Sequence, residues 1–167
     1  MHAFLPRMRH HLHARLIGLV RDYYRYVWGM NLGEGVRISF SAKLDKSNPE
    51  GIFIGDYTAV VFGATILSHD LATLKTVETR IGSHCLIGAR SIVLPGVTIG
   101  DHCIIGAGSV VMTNVPSNSL VIGNPARIVE RGINTVMYGI RKEAYDQRYE
   151  QEMRKAAATA DGSLPAT

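Results

Sequence analysis

The sequence predicts an all-β protein with flanking helices, whose body is a parallel β-helix of very short stacked strands. Aliphatic residues recur at intervals of six, glycine follows four of the six most regular ones, and a small residue stands four positions after each. This period is too long for one amphipathic strand and too short for a helical repeat, so each unit is a short strand plus a turn. The aliphatic positions are Ile81, Ile87, Val93, Ile99, Ile105 and Val111, and the small ones are Cys85, Ser91, Val97, Cys103, Ser109 and Val115.

Burial explains why such units stack. A short strand can bury one side only, so the coils must build a continuous apolar column, with the small residue fitting beside the aliphatic one. The repeat glycines suit tight corners at which a positive φ is needed. An antiparallel sandwich would instead show alternation over longer strands and a less regular spacing.

Composition limits the class of protein. A length of 167 residues suits one domain, and 46% hydrophobic residues are enough for a core. The apolar run at residues 16–20 is too short for a membrane span or a secretory signal, which predicts a cytoplasmic protein. The formal charge of +4 is spread over both termini without a nucleic-acid module, so no nucleic-acid partner is expected.

Residues 1–30 form an N-terminal amphipathic helical segment, with an apolar arc over 10–28 and Arg15, Asp22 and Arg25 opposite. We expect this helix to plug the open end of the coil and protect its strand edges. The alternative is peripheral contact with the inner face of a membrane, favoured by the arginines. The histidines at positions 2, 10, 11 and 13 lack the cysteine or carboxylate spacing of a metal site.

The predicted β-helix spans residues 31–130. Looser repeats precede the strict ones, an insertion at 48–51 interrupts them, and the period breaks after Ile66 and resumes at Ile81, so that residues 71–80 leave the coil as a loop. With three repeats per coil, Leu44 and Ile66 begin the same side of successive coils. Cys85 and Cys103 then stack about 4.8 Å apart, within disulfide reach by distance, but we expect buried free thiols because both occupy the small inward position.

Residues 131–167 are predicted to hold a C-terminal helix and a disordered tail. Pro116 ends the strict repeat, and residues 120–124 give one more strand before Pro125. A helix that packs on the coil or on a neighbouring subunit is marked by Ile133, Val136, Met137, Ile140 and Ala144.

The repeat unit, aliphatic-Gly-x-x-small-x, resembles that of the hexapeptide-repeat acyltransferases. Within this family, L-P-G-V-T-I-G (94–100), I-G-A-G-S-V-V (105–111) and G-N-P-A-R (123–127) are similar to segments of the acetyl-CoA-dependent sugar O-acetyltransferases. The resemblance implies a left-handed parallel β-helix, although spacing alone leaves the hand open and parallel crossovers are usually right-handed. It also implies acetyl transfer from acetyl-CoA to a hydroxyl of a sugar or surface-polysaccharide precursor, in a homotrimer with sites between subunits.

The resemblance also identifies candidate site residues. His69 matches the family's catalytic histidine, which ends a hexapeptide just before a loop; an imidazole can accept the hydroxyl proton and return it to the leaving thiolate. Asp45, one coil earlier on the same side, is a candidate for holding the imidazole or the acceptor hydroxyl, or is a plain turn carboxylate. Backbone groups of Ala89 and Ala107 match contacts to the pantetheine arm, and the Ala89 N–H matches the oxyanion donor. Arg127 matches the basic residue that meets the adenosine phosphates.

Several departures and alternatives stay open. Met112 stands where a polar residue is often found, so one cofactor hydrogen bond is in doubt. Serine, amino-sugar and xenobiotic acetyltransferases share the coil, and a non-catalytic β-helix assembly module is a further alternative. The γ-type carbonic anhydrases bind zinc on the same helix through three histidines, but His69, His84 and His102 are separated by 15 and 18 residues, which does not match. We expect His84 and His102 to be corner residues that point to solvent, and we expect no metal.

Overall fold

The computed structural model describes residues 16–160, with the side chains of 157–160 excepted. The expectations for the first histidines, for the start of the N-terminal helix and for the final residues of the tail lie outside this range. Most described strands are two or three residues long and belong to three parallel sheets, which form the three sides of a coil.

The strands are numbered β1 to β16 in chain order. The first side contains β1 (Asn31–Leu32), β4 (Ile52–Ile54), β9 (Thr79–Ile81) and β12 (Thr98–Ile99). The second contains β2 (Arg37–Ile38), β5 (Ala59–Val60), β10 (Leu86–Ile87), β13 (Ile104–Ile105), β15 (Ser119–Gly123) and the antiparallel β16 (Ala126–Arg131). The third contains β3 (Lys43–Leu44), β6 (Thr65–Ile66), β11 (Ile92–Val93) and β14 (Val110–Val111).

The register of the strands builds the predicted apolar column. Leu44 pairs with Ile66, which confirms that the two residues begin the third side of successive coils. Ile81 pairs with Ile54 and with Ile99, so the coil resumes at Ile81 as expected. The aliphatic repeat residues are no more than 8% exposed, which places their burial among the main sources of stability.

The small repeat positions are also buried, including both cysteines. Cys85 and Cys103 are free and buried, as predicted. The Cys103 N–H donates to the Cys85 Sγ at 3.3 Å across neighbouring coils. The neighbouring Cys103 side chain, followed by burial, raises the pKa of the Cys85 thiol far above its usual range.

The expectation for the repeat glycines was wrong in its physical reason. Glycines 82, 88, 100 and 106 are not among the described residues with positive φ. A Cβ on Gly82 would lie 2.6 Å from the Asp101 backbone nitrogen, and one on Gly88 would lie 2.4 Å from the Ile105 carbonyl oxygen. These glycines are therefore required by the close approach of successive coils.

The positive φ angles belong to other corner residues. At the corner between the first and second sides, they are found at Tyr57 (50°), His84 (58°), His102 (56°) and Asn118 (61°). Most non-glycine residues avoid this region, and asparagine tolerates it best. The corner is thus a stacked column of left-handed residues, one from each coil.

The described part of the N-terminal segment packs on the first coil. Helix α1 (16–22) continues into a π-helical turn, Tyr23–Val27. Tyr24 is buried in the core cluster, and Val20 and Trp28 pack against it. Arg25 donates to the carbonyl oxygens of Leu32 and of Gly33. The predicted plug is confirmed for these residues.

The C-terminal segment differs from the expectation. Residues 133–141 do not form a helix: Thr135 bridges Arg141, and Met137–Gly139 form a short 3-10 turn. The segment instead folds back on the corner column, where Ile133 is buried and the ring centroids of Tyr138 and Tyr57 are 6.4 Å apart. Helix α2 begins later, at Lys142, and extends to Ala160. Within residues 16–160 no helix combines the length and apolarity needed to span a bilayer.

Candidate active site

The segment after Ile66 is a small hairpin that projects from the third side of the coil. Strand β7 (His69–Asp70) pairs antiparallel with β8 (Lys75–Thr76), with His69 opposite Thr76. Asp70 stabilises the turn by accepting hydrogen bonds from the Ala72 N–H at 2.9 Å and the Thr73 hydroxyl at 2.7 Å. These bonds lower the pKa of Asp70. Both carboxylate oxygens of Asp70 therefore bind groups of the hairpin turn.

His69 lines a cavity of about 600 Å³ between the hairpin and the coil. Its polar lining includes Asp45, Ser47, Thr73 and Lys75. Its larger apolar lining residues are Leu67, Leu71, Val77, Leu94, Pro95 and Met112. A concave site of this volume, mostly apolar with a few polar groups, is typical of small-molecule sites.

His69 is half-buried, and the described residues form no hydrogen bond with its imidazole. Among residues 16–160, no side chain or backbone group forms a hydrogen bond with this ring. Both ring nitrogens are thus available to a molecule in the cavity. The structure thus places His69 on the lining of a cavity, and its role as a base stays a prediction.

Asp45 lies on the same cavity, but it does not hold the imidazole. Its carboxylate accepts the Ser47 N–H at 2.8 Å and the Ser68 N–H at 3.1 Å. Burial acts to raise the pKa of Asp45, but hydrogen bonds from the N–H groups of Ser47, Ser68 and His69 outweigh it, so the pKa lies below its usual range. Asp45 therefore holds the backbone that carries His69.

His84 and His102 are corner residues as predicted, but they do not point to solvent. Their rings stack at 5.1 Å with an interplanar angle of 6°. The His102 Nδ1 is 2.9 Å from the Thr135 carbonyl oxygen, and the Thr135 hydroxyl donates to the His84 carbonyl oxygen at 2.7 Å. The C-terminal segment covers them because residues 133–141 are not helical. In the described part of the chain, no three His, Cys, Asp or Glu side chains are grouped to hold a metal ion.

The predicted cofactor residues lie elsewhere in the same chain. Ala89 and Ala107 occupy one corner in successive coils, where the Ala89 carbonyl oxygen accepts the Gly108 N–H at 2.8 Å. Within residues 16–160 the N–H groups of Ala89 and Ala107 have no acceptor. This corner precedes the third side, whereas His69 follows it. A single chain does not bring the alanines and His69 into one pocket.

Arg127 lies at the far end of the coil on a separate cavity of about 280 Å³. Its guanidinium donates to the Ala126 carbonyl oxygen at 3.0 Å. Arg131 lines the same cavity because β16 turns back along β15. Sequence reasoning missed Arg131, since the antiparallel return after Pro125 has no hexapeptide signal.

The comparisons with known proteins agree with this architecture. A family model described as bacterial transferase hexapeptide, with six repeats, matches residues 78–112. A Bacillus subtilis protein, YvoF, whose name assigns it an acetyltransferase activity, is 34% identical over 115 residues. The match covers 68% of this chain and 67% of the length of YvoF. CapG of Staphylococcus aureus is 39% identical over 113 residues, and the match covers 61% of this chain and 66% of the length of CapG.

Solved structures of other proteins share the fold, among them two acetyltransferases. The serine acetyltransferase of Neisseria gonorrhoeae, in complex with serine, has a TM-score of 0.51 at 28% identity; the match covers 60% of this chain and 40% of that one. The polySia-specific acetyltransferase NeuO has a TM-score of 0.55 at 23% identity, over 75% of this chain and 62% of its own. This chain thus spans less than half of the serine acetyltransferase. Parallel three-sided coils, the six-residue period and these relatives together show that the chain belongs to the hexapeptide-repeat acyltransferases, with their left-handed β-helix.

Proposed function

We propose that this protein transfers acetyl from acetyl-CoA to a hydroxyl group of a sugar or surface-polysaccharide precursor, with His69 as the general base. The supporting observation is that His69 presents a ring free of internal hydrogen bonds within the described residues to a cavity of about 600 Å³. A general base must reach the proton it removes, and the described residues leave this ring without a competing hydrogen bond.

The proposed reaction needs few protein groups. The His69 imidazole accepts the proton of the acceptor hydroxyl as its oxygen attacks the thioester carbonyl carbon, and the carbonyl oxygen becomes an oxyanion. A backbone N–H stabilises that charge. When the C–S bond breaks, the imidazolium returns the proton to the thiolate, which leaves a neutral imidazole, an acetyl ester and free CoA.

The lining of the cavity supports a sugar as the acceptor. Its floor of Leu67, Leu94, Pro95 and Met112 can pack against the apolar face of a sugar ring, while Ser47 and Lys75 can bind hydroxyl or acidic groups. A serine molecule would leave most of this volume empty. A specific observation nevertheless favours serine as a second candidate acceptor, because the Neisseria enzyme bound to serine is 28% identical to this chain.

The cofactor would bind at the corner formed by Ala89 and Ala107. Their N–H groups, which have no acceptor among residues 16–160, could bind the pantetheine arm, and Arg127 with Arg131 could bind the phosphates at the far end of the coil. Because one chain holds this corner and His69 on opposite edges of its third side, we propose that the two meet between chains of a homotrimer. An active monomer in light scattering would contradict this assembly.

The test compares His69→Ala with a matched histidine variant. We expect His69→Ala to lower kcat by roughly 10² to 10⁴-fold, the range of positioned acid-base catalysis, with little change in acetyl-CoA affinity. The control is His102→Asn, because Asn118 occupies the equivalent left-handed corner position one coil later. Release of free thiol from acetyl-CoA would be followed with serine, nucleotide sugars and glycan fragments as acceptors.

The outcomes separate the competing functions. Full activity in folded His69→Ala, verified by circular dichroism, would refute His69 as the base. No acetyl-CoA binding by calorimetry would favour a non-catalytic assembly module, and transfer to serine alone would favour the second candidate. Arg127→Ala should raise the KM for acetyl-CoA with a smaller effect on kcat, since a remote phosphate contact is shared by ground and transition states.

A further inference from the structure

We propose that Asn48 and Ser68 form a clasp that positions the His69 hairpin for catalysis. The clasp consists of the hydrogen bonds between the insertion at 48–51 and the neck of the hairpin, where the chain leaves the coil at Ser68 and returns at Val77. This inference rests on the proposed role of His69 as the base. Asn48 and Ser68 are then positioning residues that act through His69.

The two residues bind each other reciprocally across 20 positions of sequence. The Asn48 side chain donates from Nδ2 to the Ser68 carbonyl oxygen at 3.0 Å. In return, the Ser68 hydroxyl donates to the Asn48 carbonyl oxygen at 2.7 Å. Ser68 is 0% exposed, so its hydroxyl has no water to replace a lost partner.

Asn48 also joins both strands of the neck. Its Nδ2 lies 3.3 Å from the Val77 carbonyl oxygen, while the Val77 N–H donates to the Ser68 carbonyl oxygen at 3.0 Å. One amide group thus contacts the residues at which the hairpin begins and ends. The insertion, which interrupts the hexapeptide period, supplies this amide.

A second buried group secures the neck from the following coil. The Thr79 hydroxyl donates to the Leu67 carbonyl oxygen at 2.6 Å and accepts the Gly96 N–H at 3.1 Å. Thr79 is 0% exposed. The residues before and after the hairpin are therefore held by polar groups of the preceding coil and of the next one.

The position of His69 depends on this neck because, in the described part of the chain, its ring forms no hydrogen bond. His69 follows Ser68 directly, and within residues 16–160 no group forms a hydrogen bond with the imidazole. The backbone therefore decides where the imidazole lies. Asp45 adds to the same restraint by accepting the Ser68 N–H at 3.1 Å, next to His69 in the chain.

The experiment measures kcat and KM for Asn48→Ala and Ser68→Ala in the full chain. We expect kcat to fall roughly 10- to 100-fold, since a base displaced by about 1 Å costs about that factor, while the KM for acetyl-CoA stays within about twofold. The matched control is Asn118→Gly, which removes another cross-loop donor, Nδ2 to the Ile133 carbonyl oxygen at 2.9 Å, at the corner between the first and second sides. Glycine keeps the positive φ of that position.

A double-mutant cycle separates positioning from general loosening. If Asn48 acts through His69, then Asn48→Ala should cause less than a twofold further loss in the residual activity of His69→Ala. An equal loss in both backgrounds, or an equal loss in Asn118→Gly, would overturn the proposal. A wild-type kcat in both Asn48→Ala and Ser68→Ala, when His69→Ala is inactive, would also overturn the proposal. Full activity of His69→Ala would instead refute the proposed base, which keeps the two failures distinct.

Discussion

Replacing Gly82 by alanine tests whether the repeat glycines are required by coil stacking. A Cβ at this position would lie 2.6 Å from the Asp101 nitrogen and 2.6 Å from the Gly100 carbonyl carbon, both backbone atoms of the next coil. The Asp101 Oδ1 would be 2.4 Å away, and it is anchored by the Ser83 N–H at 2.7 Å. No flexible side chain can move aside to make room.

The size of the effect follows from these distances. Non-bonded carbon atoms pack at about 3.5 Å, so the coils would have to separate locally by roughly 0.9 Å. The Gly82 N–H donates to the Ile99 carbonyl oxygen at 2.8 Å, and separation would weaken this bond. Overpacking of a close-packed core costs about 1 to 3 kcal/mol and a strained hydrogen bond about 1 kcal/mol, which predicts a loss of about 3 kcal/mol.

Urea unfolding followed by circular dichroism measures this loss, with all variants at one protein concentration because assembly changes apparent stability. The control is Gly18→Ala in α1, where a Cβ would meet no atom within 4 Å among the described residues beyond its own stretch of helix. We expect the control to raise the free energy of unfolding by about 0.5 to 1 kcal/mol, as alanine favours a helix. A Gly82→Ala protein within about 0.5 kcal/mol of wild type would refute close approach as the reason for the repeat glycines.

Two further predictions concern the titratable groups. Because the pKa of Asp45 is lowered in the folded state, its carboxylate contributes stability above its ordinary pKa of about 3.9 and loses this contribution as pH falls through the lower folded value. The difference in Tm between wild type and Asp45→Asn should therefore shrink as pH falls below about 4, and a constant difference would contradict it. Cys85 and Cys103, both buried and free, should resist maleimide in the native protein and react in guanidinium; native labelling of either thiol would show that the column opens.

Much of the fold could be predicted from the sequence because the repeat is local and periodic. The six-residue spacing of aliphatic residues identified the column, the stacking of Leu44 on Ile66, the resumption at Ile81 and the buried thiols. The break in the period identified the excursion that carries His69. These inferences need only the geometry of a short strand and the burial of its apolar face.

The C-terminal segment shows where periodicity misleads. The apolar residues of 133–144 have helical spacing, yet the segment before Lys142 is a bridge and a 3-10 turn. Burial of Ile133 and Thr135 against the corner column outweighs local helix propensity there. The return strand β16 likewise has no signal in the repeat. The sequence therefore did not predict that Arg127 and Arg131 line the same cavity.

The sequence by itself determined the class of fold, the family and the position of the candidate base, because each depends on residue type and spacing along the chain. Only the tertiary structure decided that the repeat glycines serve close approach, that Asp45 binds the backbone below His69, and that Asn48 joins the neck of the hairpin. These depend on contacts between coils, where residues about 20 positions apart meet at distances of 3 Å, and the pattern along one strand carries no information about them.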